Sequence, residues 1–142
     1  MHYFDSAYVA KCYLNDPDSE RVRDLVRAPV PLYSSALCIP EVTCAIHRRY
    51  RERQLGRKEM LELTAAFRSH VEQGTWTLVP VSGQLLWAVH EALRELRGSV
   101  YIRSADATHL VSARNAGFGE VWTNDRHMLD AARHFGLSGR SV

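Results

Sequence analysis

The chain is short of cysteine, of long apolar runs and of any large charge imbalance. Its 142 residues include three cysteines, at positions 12, 38 and 44, and no CxxC pair. An odd count without paired spacing provides no disulfide framework and suits a reducing compartment, here the cytoplasm. Cys12 and Cys44 lie in apolar helical patterns and are expected to be buried small hydrophobes. Cys44 and His47 have the spacing of half a metal site, but no second half exists, which argues against structural zinc. The longest uncharged stretches are too short to cross a bilayer and contain Gly, Pro or Ser, so neither a membrane span nor a signal peptide is expected. No repeat, low-complexity tract or linker divides the chain. Its length is that of one ordinary domain, so residues 1–142 are expected to form a single unit with one substantial core.

Net charge is only +2, yet its distribution is uneven. The segment "HRRYRERQLGRK" sets Arg48, Arg49, Arg51, Arg53, Arg57 and Lys58 against Glu52, six basic residues to one acid. Such a stripe is the footprint of a phosphate-backbone partner, or simply a solvated helix face.

Strands and helices alternate throughout. Short strands are expected at 2–5, 31–34, 76–81 and 120–123, with a weak fifth in the tail. Helices are expected at 6–14, 17–28, 38–54, 56–73, 83–97, 104–116 and 126–135. Asn15-Asp16-Pro17 breaks the first pair, and Gly74, Gly98, Gly117 and Gly136 close the later ones. Pro80 places the third strand at an edge or makes it end there. This alternation implies βαβ units, a mainly parallel sheet and right-handed crossovers. Ligands of open α/β sheets bind beyond the carboxyl ends of the strands. Acids at those ends therefore carry the most information.

Four acids stand in such places. Asp5 ends the first strand, where it could equally cap the following helix. Glu41 shares a helix face with Cys38, Val42 and Ala45 and points toward the core or its edge, where a carboxylate needs a partner; an arginine could serve. Ser104 is expected to cap the next helix, which puts Asp106 in its first turn, where a negative charge is favoured. Asp106 also shares the buried face with Leu110 and Ala113, and small Ala105 and Ala107 flank it. Asp125 follows the fourth strand, where it, Thr123 or Asn124 could cap. Each has a local explanation when taken alone. In a parallel α/β layout, however, all four converge at one end of the sheet.

Convergence has a cost. Two carboxylates ~4–5 Å apart repel by about 3–4 kcal/mol at an effective dielectric near 20, more than about two pKa units per pair. Such a cluster must share protons or bind a cation. An all-oxygen carboxylate site suits Mg²⁺ or Mn²⁺, whose chemistry is phosphodiester hydrolysis. The basic helix after Glu41 would then hold a nucleic-acid backbone nearby.

The segments "YFDSAYVAK", "CIPEVTCAIHRR", "IRSADATHLVSA" and "VWTNDRHMLDAA" resemble, in order, the four acidic motifs of the PIN-domain family, with the nearest likeness to VapC-type toxins of bacterial toxin–antitoxin pairs. The likeness runs from near residue 2 to near residue 137. It implies an α/β fold, a three-layer α/β/α sandwich around a central mainly parallel sheet. It also implies a metal-dependent endoribonuclease using Mg²⁺ or Mn²⁺, with Asp5, Glu41, Asp106 and Asp125 as the catalytic, metal-holding quartet. Ser6 and Thr123 match hydroxyl residues that orient carboxylates or water. Arg48, Arg49, Arg51 and Arg53 are the candidate RNA contacts. The resemblance further implies a small cognate antitoxin as partner, and a homodimer.

Other readings are weaker. A haloacid-dehalogenase-type phosphotransferase needs a second Asp two residues after the first, and this chain has Ala7 there. A catalytically inactive RNA- or protein-binding module is compatible with the basic stripe but leaves the intact quartet unexplained. The residues taken alone suit DNA as well as RNA, and the family resemblance favours RNA. His109, one turn from Asp106, reads as a packing or supporting residue rather than as a general base.

Overall fold

A computed structural model describes all residues, 1–142. The elements in order are β1 (His2–Tyr3), α1 (Ser6–Lys11), α2 (Ser19–Val26), β2 (Leu32–Ser35), α3 (Cys38–Arg51), α4 (Arg57–Glu72), β3 (Trp76–Val79), α5 (Gly83–Glu95), α6 (Ser104–Asn115), β4 (Glu120–Trp122), α7 (Arg126–Ala132), a 3₁₀ turn (Arg133–Phe135) and β5 (Ser138–Arg140).

Every strand pairing is parallel. β2 lies between β1 and β3, and β4 pairs with β5. A parallel bridge from Phe4 to Trp122, with the Asp5 amide donating to the Trp122 carbonyl at 3.1 Å, joins the two groups. The resulting order is β3-β2-β1-β4-β5. β3 is an edge strand and ends at Val79, directly before Pro80, so the residue without an amide donor stands outside the ladder.

The alternation of side chains along β1 sorts the two helical layers. Tyr3 enters a core built from α5, α6 and α7 with Val121 and Leu137. Phe4 enters the other, built from α1 to α4 around Val22, Val42, Ile46, Phe67 and Trp76. The architecture is thus the three-layer α/β/α sandwich read from the sequence, with a wholly parallel sheet.

Local chemistry sets the helix boundaries. The Asp5 and Asp125 carboxylates accept from the Tyr8 and Met128 amides and so cap α1 and α7. α6 stops at Gly117, whose φ of 85° is in the left-handed region that a side chain disfavours. At Gly139 in β5, a Cβ would stand 3.1 Å from the Leu129 Cα, so only glycine lets β5 close on α7.

Three local expectations are corrected. Ser104 does not cap α6: Arg103 holds that place without a side-chain cap, and the Ser104 carbonyl accepts from the Thr108 hydroxyl. Cys44 is exposed, because the buried stripe of α3 runs through Cys38, Val42 and Ile46 and leaves it on the outer side. Cys12 is only half-buried. Its thiol is pushed up to about 12, chiefly by burial and against the charge of Arg23.

Candidate active site

The strand order reverses at β1: the chain builds outward to β2 and β3 on one side, and to β4 and β5 on the other. The crevice at such a switch point is where open α/β sheets take their ligands. Asp5 leaves the end of β1 and Asp125 follows the end of β4. Glu41 comes from the first turn of α3, and Asp106 from the first turn of α6. All four acids line one cleft of about 480 Å³, together with Arg103 and His109.

Asp5 is the buried member, 5% exposed. One oxygen caps α1, and the other accepts from the Thr123 hydroxyl at 2.5 Å. Thr123 in turn accepts from the Asp125 amide at 2.9 Å and so ties two of the acids to the end of β4. No cationic side chain pairs with Asp5. Burial therefore pushes its carboxyl above the usual range, against the lowering hydrogen bonds from Thr123 and Tyr8.

Glu41 meets a different environment. The Ser6 hydroxyl donates to its Oε2 at 2.5 Å, and His109 Nε2 lies 2.9 Å from the same oxygen. A carboxylate can only accept, so Nε2 carries the proton. His109 is buried, stands 2.9 Å from the Ser6 hydroxyl, and leaves its Nδ1 without a partner. Burial acts to raise the Glu41 carboxyl. The bonds from His109 and Ser6, with the charges of His109 and Arg103, outweigh burial and hold it below the usual range.

Asp106 and Asp125 share one cation. The Arg103 guanidinium donates to Asp106 Oδ2 at 2.9 Å and to Asp125 Oδ2 at 2.8 Å. The hydrogen bond that it donates to Asp106 and the two carboxylate charges hold Arg103 above its ordinary value.

The sequence reading overlooked Arg103. A signal was present in "IRSAD": a basic residue at a helix start opposes the helix dipole and implies a compensating acid nearby. The partner of Glu41 is His109, not an arginine. Ser6 neither caps α1 nor holds Asp5, since Asp5 caps the helix itself and Thr123 holds it; Ser6 serves Glu41 instead.

The donor set fits a hard divalent cation. It offers four carboxylates and no thiolate, and the buried Asp5 lacks a counter-charge. As they stand, no three acidic or histidine groups converge tightly enough to clasp one ion. The hydrogen bonds above account for this: protein donors hold each carboxylate, and Arg103 occupies two of them.

The basic stripe divides. Arg48 pairs with Glu52 at 2.9 Å, and Arg49 pairs with Asp16 and donates to Gln54 at 2.8 Å. Arg51 and Arg53 are exposed and make no ion pair. Lys11, Arg48 and Arg49 line a second cleft that shares Ala7, Ala10 and Ala45 with the acid cleft. No helix is long and apolar enough to cross a membrane.

Comparison with known proteins agrees with this architecture. The sequence profile of the PIN domain matches residues 3–134. Ribonuclease VapC46 of Mycobacterium tuberculosis (strain ATCC 25618 / H37Rv) is 28% identical over 142 residues, spanning 96% of this chain and 93% of that protein. Among solved structures, Mycobacterium tuberculosis VapC20, a sarcin-ricin loop cleaving toxin, superposes with a TM-score of 0.72 at 16% identity, over 92% of this chain and 95% of that one. FitAB bound to an IR36 DNA fragment gives 0.71 at 16% identity, over 99% of this chain and 94% of that one.

Proposed function

The chain belongs to the PIN-domain family, and from that premise we propose that it is a metal-dependent endoribonuclease of the VapC toxin type. The observation that carries the reading is the meeting of Asp5, Glu41, Asp106 and Asp125, distant in sequence, in one cleft at the switch point of the sheet. The kinship to ribonuclease VapC46 over nearly the whole of both chains supports RNA as the substrate.

Asp5, Asp106, Asp125 and Glu41 would hold Mg²⁺ or Mn²⁺. When bound, such an ion supplies Lewis-acid polarisation of the phosphodiester and an acidified water. The remaining work belongs to the chain. Thr123 fixes the Asp5 carboxylate and ties it to the start of α7. Ser6 and His109 fix Glu41 from beneath, and because both converge on Oε2 they leave Oε1 for the cleft. Arg103 offsets part of the acid charge at the rim. Arg48 and Arg49 line the cleft that adjoins the acids, and Arg51 and Arg53 follow at and just past the end of α3, so an RNA backbone would reach the acids along this side. Residues 1–142 would act as one domain in the cytoplasm, as a homodimer restrained by a small antitoxin.

A second reading has one observation in its favour. Asp5 and Asp125 cap helices and Asp106 pairs with Arg103, so the acids also suit an inactive RNA- or protein-binding module. Cleavage of a single-stranded RNA pool with Mn²⁺ separates the two. We expect cutting by the wild type, none in excess EDTA, and none by Asp5→Asn or Asp106→Asn with the fold retained. RNA cutting by Asp5→Asn in EDTA, or a wild type that binds Mn²⁺ no better than Asp106→Asn, would refute the enzyme.

A further inference from the structure

We propose that Tyr101 and His127 form a nucleobase-binding subsite at the rim of the acid cleft, taking one unstacked base of a single-stranded RNA. The inference rests on the ribonuclease reading and names the form of substrate that site accepts.

Tyr101 is 60% exposed, in the loop that leads into α6. Its one aromatic neighbour is His127, with ring centroids 4.6 Å apart and planes at 60°. His127 is also exposed, in the first turn of α7. In an edge-to-face pair of this kind the contact covers neither face of the ring that offers its edge. The ring that offers its face keeps the other uncovered. Two solvent-facing aromatic surfaces therefore stand side by side.

Their place in the fold gives the pair its meaning. Arg103 follows Tyr101 by two residues and is bonded to both Asp106 and Asp125. His127 follows Asp125 by two residues. The pair thus rides on the two segments that deliver half of the acid cluster, and the Arg103 bridge joins those segments. Arg126, beside His127, is exposed and makes no ion pair, so a cation is available for a flanking phosphate.

Aromatic rings beside a cationic backbone track are the usual platform for single-stranded nucleic acid, because every base has a π face. A duplex keeps its bases stacked on one another and cannot use such a platform. A loop, bulge or unpaired end can. The other exposed aromatic pair, Trp87 and His90, belongs to α5, which contributes nothing to the acid cleft. It serves as an internal control.

The test is binding in EDTA, where cleavage is absent. The probe is a single-stranded oligoadenylate carrying 2-aminopurine at each position in turn. In the wild type, fluorescence should be quenched at one preferred position. Tyr101→Ala should lose the quench and bind roughly 5- to 150-fold more weakly, the equivalent of one stacked base. Tyr101→Phe and Trp87→Ala should bind and quench like the wild type. Equal binding and quenching by Tyr101→Ala and wild type would overturn the subsite, whatever the protein does to RNA with Mn²⁺. A Tyr101-dependent quench in a protein that never cuts RNA would sustain the subsite and sink the nuclease. A wild type that binds no single-stranded RNA would overturn the subsite outright.

Discussion

Removing the Arg103 guanidinium should make the acid cleft bind divalent metal more tightly. This one side chain holds Asp106 at 2.9 Å and Asp125 at 2.8 Å. A dication taken up by the same carboxylates must displace the guanidinium or tolerate its repulsion. Arg103 is 58% exposed, so bare Coulomb values do not apply. Solvent screening limits each contact to the range of surface ion pairs, about 0.2–1 kcal/mol. Two contacts give about 0.4–2 kcal/mol, or about 2- to 30-fold in a dissociation constant. Arg103→Ala should therefore bind Mn²⁺ about 2- to 30-fold more tightly than the wild type, read from the free Mn²⁺ signal by electron paramagnetic resonance. Arg103→Lys should fall between, since an ammonium cannot fork across both carboxylates. The same substitution should lower the melting temperature in EDTA and restore it with Mn²⁺. Unchanged or weaker Mn²⁺ binding by Arg103→Ala would refute the competition and make Arg103 a brace that holds the acids in their binding arrangement.

Two more outcomes follow from the ion pairs. Arg51→Ala and Arg53→Ala should weaken RNA binding without loss of thermal stability, each lowering the slope of log affinity against log salt by about one. Arg49→Ala should cost stability as well, because it abandons Asp16; equal melting temperatures for all three variants would contradict this division. Asp18 concerns pH. The hydrogen bond from Lys11, its charge and the Asn124 amide hold the Asp18 carboxyl below its ordinary value of 3.8. A lowered folded-state pKa means that the unfolded chain takes up the proton first, so this stabilisation is full above the ordinary value and is lost as pH falls through the folded one. Asp18→Asn should flatten the decline of melting temperature on acidification below about pH 5, and a decline as steep as the wild type's would count against the pairing.

The frame of this fold was legible because its signals are local. Asp5 after an apolar pair, Pro80 near a strand end and glycine after α6 each act within a few residues, and each marks a boundary that the structure keeps. The acids were legible because a repeated pattern, strand end or helix start plus carboxylate, needs only the order of elements. What stayed hidden depends on partners across the chain. Ser6 meets Glu41, 35 positions away, and His109, 103 positions away. Nothing near Ser6 reveals that it serves Glu41 rather than its neighbour Asp5. Arg103 joins Asp106 to Asp125 only after α6 and α7 have docked on one side of the sheet. Cys44 was misplaced because the apolar stripe of α3 is narrower than its composition suggests, and one step around the helix separates buried from exposed.

The strand order has a consequence for synthesis. β1 is made first yet lies at the centre, and it receives β4 only after more than a hundred further residues. Thr123, which holds Asp5, is itself fixed by the hydrogen bond that its backbone N–H donates to the Arg140 carbonyl at 2.9 Å. A nascent chain whose later segments are still in the ribosome's exit tunnel therefore carries Asp5 without its brace and Glu41 without His109. The cleft can be completed only after the last strand has emerged from the tunnel, so a chain still short of β5 holds its acids without the braces that set them.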